Sequence, residues 1–177
     1  MIGKKVKIPD RYIIFDLETT GFSPQYAEII EIGAVRVLNG LIVERFQSYV
    51  NPYGRIPANI TALTGISSKQ TASAPRIDAV FPKFKEFIGS DVLIAHNSSF
   101  DCRFLAAVCC MLCQTLDNSV LDSVQIAKAY IKDVPNYKLE TLKHHFGIRL
   151  PSHNAIDDCT VTYNVVEYCR KKQNGIC

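Results

Sequence analysis

The chain has 177 residues, 47% of them hydrophobic and 10% aromatic, which excludes a disordered polar segment and suffices for one packed core. Its net charge of +3 and pI near 8.4 permit a phosphate-bearing ligand without demanding one. No apolar run approaches the ~20 residues that cross a bilayer, and no apolar h-region follows "MIGKKVKIPDR", so a cytoplasmic protein without a membrane partner is expected.

In chain order, Tyr12–Leu17 reads as a buried strand ending in the turn signal "TTGF". Glu28–Val37 and Leu41–Val50 follow as strands joined by Asn39-Gly40, a strong hairpin pair. A loop-rich stretch runs to Pro75, with a short helix expected over Ala58–Leu63. From Arg76 to Ile88, the spacing of Ile77, Val80, Phe81, Phe84, Phe87 and Ile88 predicts a helix. "DVLIAHN" is a short buried strand, Phe100–Leu112 a helix, "SVLDS" a brief strand, and Val124–Tyr130 and Leu139–Phe146 further helices. Ala155–Arg170 closes the series with Ile156, Cys159, Tyr163 and Val166 on one stripe. A meander followed by alternating helices and strands implies a mixed sheet with helices packed on it, an α/β fold. Without repeats or linkers, residues 1–177 read as a single domain with its core over about 12–170.

The seven cysteines are odd in number, and "CCMLC" lacks a second ligand cluster at zinc spacing, so reduced buried thiols are expected, six of them (Cys102, Cys109, Cys110, Cys113, Cys159, Cys169) in helices. Lys4, Lys5, Lys7 and Arg170, Lys171, Lys172 read as solvated terminal charge. Neither phosphate-cradling glycine loop is present, nor a GxSxG elbow.

The chain does place acids where acids are expensive. Asp16 and Glu18 are two apart in a strand and so share a face. Asp101 precedes Phe104, Leu105 and Val108 by three, four and seven residues, on the inward stripe of its helix. In "SHNAIDDC", Asn154 can cap a helix whose first turn holds Asp157 and Asp158. His153 and Asp158 lie about 140° apart on a continuous helix, so they converge only if His153 turns back from the preceding loop. Converging carboxylates repel unless a cation joins them, and oxygen ligands select hard divalent ions such as Mg²⁺ or Mn²⁺. A pair of such ions is suited to attack on a phosphodiester.

"FDLETTG", "HNSSFDCRFL" and "HNAIDDC" resemble, in order, the three motifs of the DEDDh 3′–5′ exonucleases, the DnaQ-like group that includes the proofreading subunit of bacterial replicative polymerases. "LTGIS" is similar to that family's nucleotide-contacting loop, and the resemblance runs from about Tyr12 to Arg170. It implies a ribonuclease H-like mixed five-stranded sheet flanked by helices. It also implies that Asp16, Glu18 and Asp158 hold one of two divalent ions, Asp16 bridges to the second, and Asp101 completes the site. His153 would be the general base, and the family spacing selects Asp158 over Asp157. Thr19, Thr20, Gly21, Leu63, Thr64, Asn97, Phe100 and Phe104 would contact the substrate, although core packing is the stronger expectation for Phe104. The implied reaction releases nucleoside 5′-monophosphates from single-stranded or frayed DNA 3′ ends, in proofreading or repair, with a DNA polymerase subunit as a potential partner. RNA trimming by the same fold and a non-catalytic polymerase-associated nucleic-acid-binding module are the alternatives.

Overall fold

The computed structural model describes residues 6–176. Lys4 and Lys5 lie outside this range. Five strands, β1 (Arg11–Thr19), β2 (Ile29–Leu38), β3 (Leu41–Tyr49), β4 (Val92–Ala95) and β5 (Val120–Asp122), form one mixed sheet in the order β3-β2-β1-β4-β5. The β1–β2 and β2–β3 pairs are antiparallel; β1–β4 and β4–β5 are parallel. Asn39 and Gly40 close the β2–β3 hairpin with φ of 50° and 82°, as a tight two-residue turn requires.

Helices cover both faces: α1 (Ala58–Thr64), α2 (Ser68–Thr71), α3 (Ile77–Ile88), α4 (Ser99–Met111), α5 (Ser123–Tyr130), α6 (Leu139–His145) and α7 (Ala155–Gln173). The alternation in β1 decides the layers. Ile13, Phe15 and Leu17 pack with Phe81 and Phe84 of α3 and Phe104, Leu105 and Val108 of α4. Tyr12 and Ile14 point the other way, into Ile126 of α5, Leu142 of α6 and Cys159, Val165 and Val166 of α7. Asp16 and Glu18 continue that second row, so β1 aims them at the layer that contains α7.

Helix α7 sits unusually close to the sheet. A Cβ at Gly33 would lie 2.6 Å from the backbone carbon of Ala155. The missing side chain therefore lets the first turn of α7 rest on β2. Cys159 Sγ meets the Gly33 carbonyl oxygen at 3.4 Å from the same helix face.

Several expectations shift in detail. The four-residue helix α2, closed by a Ser67–Gln70 capping box, is absent from the periodicity reading because it is too short to repeat. Cys113 falls beyond α4 in a left-handed position, φ 51°, rather than within a helix. Arg170 is no solvated terminal charge: its guanidinium bonds Glu167 (2.9 Å) and Asp10 (3.2 Å). The cysteines among the described residues are free as expected, but only Cys159 and Cys169 are buried, and Cys110 and Cys113 are exposed. No helix among those residues is long and apolar enough to cross a membrane.

Candidate active site

Strand β1 is longer than the neighbour on its parallel side. Its register with β4 ends at Ile14↔Ile94, and β4 itself ends at Ala95. From Asp16 onward, β1 therefore has no strand beside it on that edge. The resulting crevice at the carboxyl ends of β1, β4 and β5 is where open α/β sheets place their ligands. Helix α4 enters it with its N-terminus, carrying buried Asp101. Ser98 occupies the N-cap position of α4 without a side-chain cap bond.

Helix α7 closes the other side. Asn154 caps it through Oδ1, which accepts from the Asp157 N–H at 3.1 Å. His153 stands just outside the helix with φ 61° and donates its backbone N–H to Asp158 Oδ2 at 3.0 Å. This left-handed turn resolves the 140° separation expected on a continuous helix. Glu18, His153 and Asp158 each bring a potential ligand atom within 4.8 Å of the others, a group that could hold a metal ion.

The cleft has a volume of about 340 Å³, and its wall includes Asp16, Glu18, Asp101, His153 and Asp158 together with Thr19, Gly21, Leu63, Thr64, Asn97 and Phe100. Thr20 and Phe104 do not line it. The Thr20 hydroxyl accepts from the Glu28 N–H at 2.9 Å, closing the loop after β1. Phe104 is 2% exposed and packs in the core, with its ring 5.1 Å from that of Phe100, so the apolar stripe of α4 claims it entirely. Gly21 is not a forced glycine, since a Cβ there would meet only Ala27 at 3.4 Å. The Thr64 hydroxyl is engaged at the end of α1, donating to the Ile60 carbonyl and accepting from the Ile66 N–H.

Phe22 and Ile60 also line the cleft, and Phe22 is 78% exposed. Sequence reasoning missed both; a phenylalanine just beyond a glycine turn was the available signal for Phe22. Glu31 was missed as well. It is fully buried opposite Glu18 in the β1–β2 register and accepts from Gln47 Nε2 (2.8 Å) and the Ala155 N–H (3.2 Å). Its carboxylate thereby holds the start of α7. His96 lines the same cleft: its Nε2 donates to the Tyr137 carbonyl (2.9 Å), which leaves Nδ1 to accept from Ser123 (2.8 Å). Burial lowers its pKa, which keeps the ring neutral.

The electrostatics are one-sided. Burial, followed by repulsion from Asp101, Asp158, Glu18 and Glu31, raises the Asp16 carboxyl well above the ordinary range. Burial and the charges of Asp158, Glu31 and Asp101 push Glu18 up to about 8. Asp101 is raised to about 7 by burial, opposed by backbone hydrogen bonds at Asp101 and Leu17. Asp158 rises to about 6 because burial outweighs the His153 N–H and the nearby cations. Among the described residues, no lysine or arginine forms an ion pair with any of these four acids.

Residues 13–166 match the family described as Exonuclease, RNase T type. The chain belongs to this exonuclease family. Among relatives, the PolC-type DNA polymerase III of Clostridium perfringens is 41% identical over 171 residues, 96% of this chain and 12% of that polymerase. The PolC-type enzyme of Bacillus subtilis is 38% identical over 156 residues, 86% of this chain and 11% of its own length. The chain thus spans about an eighth or less of the curated relatives it matches. Among solved exonucleases, exonuclease X in complex with 5′-overhanging duplex DNA superposes with a TM-score of 0.75 and 25% identity, covering 93% of both chains. Exonuclease I of E. coli, in complex with a dT13 oligonucleotide, shares the fold at a TM-score of 0.82 and 17% identity, covering 95% of this chain and 42% of that one. These are ribonuclease H-like folds, with the mixed sheet and flanking helices seen in this family member.

Proposed function

We propose that the chain is a metal-dependent 3′–5′ exonuclease that hydrolyses DNA from its 3′ end and releases nucleoside 5′-monophosphates, acting as one exonuclease domain in proofreading or repair. One observation carries the reading. Asp16, Glu18, Asp101 and Asp158 meet at one cleft with no lysine or arginine ion-paired to them among the described residues, and His153 lines the same cleft. The donors are carboxylate oxygens, which fit Mg²⁺ or Mn²⁺, and the His153 imidazole stays outside that set. Asp16, Glu18 and Asp158 would hold one ion, and Asp16 with Asp101 a second. Such a pair supplies activation of water and neutralisation of charge on the attacked phosphate.

The chain's own residues do the rest. His153 is exposed at the cleft and beside Glu18 and Asp158, so its imidazole can take a proton from the attacking water. The Asp158 carboxylate, fixed by the His153 N–H, keeps that loop facing the acids. Phe22, Ile60 and Leu63 add apolar surface to the same cleft, and base stacking on a ring such as Phe22 tolerates any base. Phe100, next to Asp101 in α4, adds an aromatic side chain to the same wall.

DNA is favoured because the relatives are DNA polymerases and exonuclease X is described on DNA. The test follows 5′-labelled single-stranded DNA and RNA of matched sequence with Mg²⁺, Mn²⁺ or EDTA, with Asp16→Asn as control. A metal-dependent ladder shortening from the 3′ end of DNA, absent in the variant, is expected. Faster loss of RNA would reassign the substrate. Binding without cleavage of either would leave a non-catalytic module.

A further inference from the structure

Lys143 is a lysine turned inward. It is 8% exposed, while Lys138 at the start of the same helix α6 faces solvent. A buried ammonium needs partners for its donors, and it has them. Nζ donates to Glu140 Oε2 at 3.1 Å and to the Ser152 hydroxyl, which donates in turn to that same carboxylate oxygen at 2.6 Å. The three side chains form a closed ring between α6 and the residue immediately before His153.

That location matters because His153 is held in a strained place. A non-glycine residue at φ 61° stays there only when its surroundings hold it. On its C-terminal side the anchor is α7, through Asp158 and the Asn154 cap. On its N-terminal side Gly147 and Ile148 donate to the His144 and Lys143 carbonyls at the end of α6. The chain then runs to Pro151 without regular structure, and the Ser152 side chain ties its far end, next to His153, back to α6.

We propose that Lys143 is a positioning residue: through Glu140 and Ser152 it fixes the loop that presents His153 to Glu18 and Asp158. Its kinetic consequence rests on the exonuclease reading above; the placement of the imidazole does not. The charge of Lys143 also reaches Asp158, acting against the burial that raises that carboxyl.

The test uses Lys143→Met, Ser152→Ala and the double variant, each with ¹³C-labelled histidine rings, the His153 signal being assigned with His153→Ala. Each single variant is expected to shift or broaden the His153 ring resonance, while that of His96, clamped by Ser123 and Tyr137, stays in place. On labelled single-stranded DNA with Mn²⁺, kcat should fall about 10- to 100-fold, as is typical when an outer partner of a site is removed. KM and calorimetric Mn²⁺ affinity should stay within about threefold of the parent, because binding is not what is lost. The double variant should be no slower than the slower single one, since the two groups act through one ring. An unmoved His153 resonance in Ser152→Ala, which removes one hydroxyl and leaves the helix intact, overturns the proposal. So does a rate loss that follows only the unfolded fraction, or one accompanied by equal loss of Mn²⁺ binding. If the parent cleaves neither DNA nor RNA, the exonuclease reading fails, and the ring resonance still decides the placement.

Discussion

The two ends of β1 carry charge in opposite ways. At its N-terminal end, Arg11 bonds Asp91 at 2.6 Å, Arg36 bonds both Asp91 and Glu44, and the guanidinium of Arg36 also lies over the Phe87 ring. Positive and negative groups alternate there, and the half-buried Arg36 has its donors taken. At the C-terminal end, about five residues along the same strand, Asp16, Glu18, Asp101, Asp158 and Glu31 gather with no lysine or arginine bonded to them among the described residues. Burial sharpens the difference, since Arg11 and Glu44 reach solvent while Glu18, Asp101, Asp158 and Glu31 are buried. One end is settled within the chain. The other is destabilised by its own charges and stabilised by whatever cation enters, which is how a fold stores cost at a working site.

The sharpest way to break this contrast is to remove a charge from the unsettled end. Asp16→Asn should lower the cleavage rate on the order of 10³-fold or more, since several kcal/mol of stabilisation are lost at about 1.36 kcal/mol per decade. Its metal-free melting temperature at pH 8 should rise, because a repelling carboxylate has gone. Steady-state kinetics and calorimetry on one preparation check both signs. His153→Ala should slow turnover by about 10²–10⁴-fold, the usual worth of a general base, while calorimetric Mn²⁺ binding persists. Equal loss of metal in both variants would contradict their separate roles.

The settled end should answer differently. Asp91→Asn leaves the half-buried Arg36 with one fewer anionic partner and should cost on the order of 3 kcal/mol, or roughly 6–12 °C for a chain of this size. Its rate per folded molecule should not change. Gly33→Ala joins the two kinds of effect: its Cβ must displace the start of α7, so both melting temperature and kcat should fall, with the variant compared at matched folded fraction.

Much of this contrast was legible in the sequence. Period-two alternation placed Asp16 and Glu18 on one face, and the three, four and seven spacing placed Asp101 inward; the structure puts all three in the cleft. The Asn39-Gly40 hairpin was equally plain. Other features depend on tertiary contact and leave no local pattern. The approach of His153 to Asp158 needs a left-handed residue that no propensity demands, and the Glu140–Lys143–Ser152 ring joins residues 12 apart across an irregular loop. Phe104 shows a case where local pattern outweighed resemblance, its place on the apolar stripe pointing to the core where it is found. It lies three residues from Asp101 on one stripe, yet the stripe itself turns from cleft to core within that single turn.

The smallest effect is a dependence of stability on pH whose sign runs against the usual one for carboxylates. Asp158, Asp101 and Glu18 have folded-state values of about 6, 7 and 8, all above the values near 4 expected when unfolded, and Asp16 is raised as well. Below about pH 4 both states hold these protons and the fold has its full stability; above it the unfolded chain releases them first. The contribution of these four groups to the stability of the metal-free protein then falls as pH rises, until each folded group ionises in turn. Two groups work the other way. Glu140, its carboxyl lowered by Ser152 and Lys143, loses its contribution only below the ordinary glutamate range. His96, lowered by burial, costs stability as pH falls below its ordinary value near 6.5 and so trims the effect of the four acids without matching it. The metal-free protein should therefore melt higher at about pH 5.5 than at about pH 8. Saturating Mn²⁺ should shrink or reverse that gap, because an ion that prefers ionised carboxylates binds better as the protons leave. A gap that persists at full size when Asp16, Glu18, Asp101 and Asp158 are all replaced by their amides would place its origin in another cluster, and the contrast between the two ends of β1 would lose its electrostatic basis.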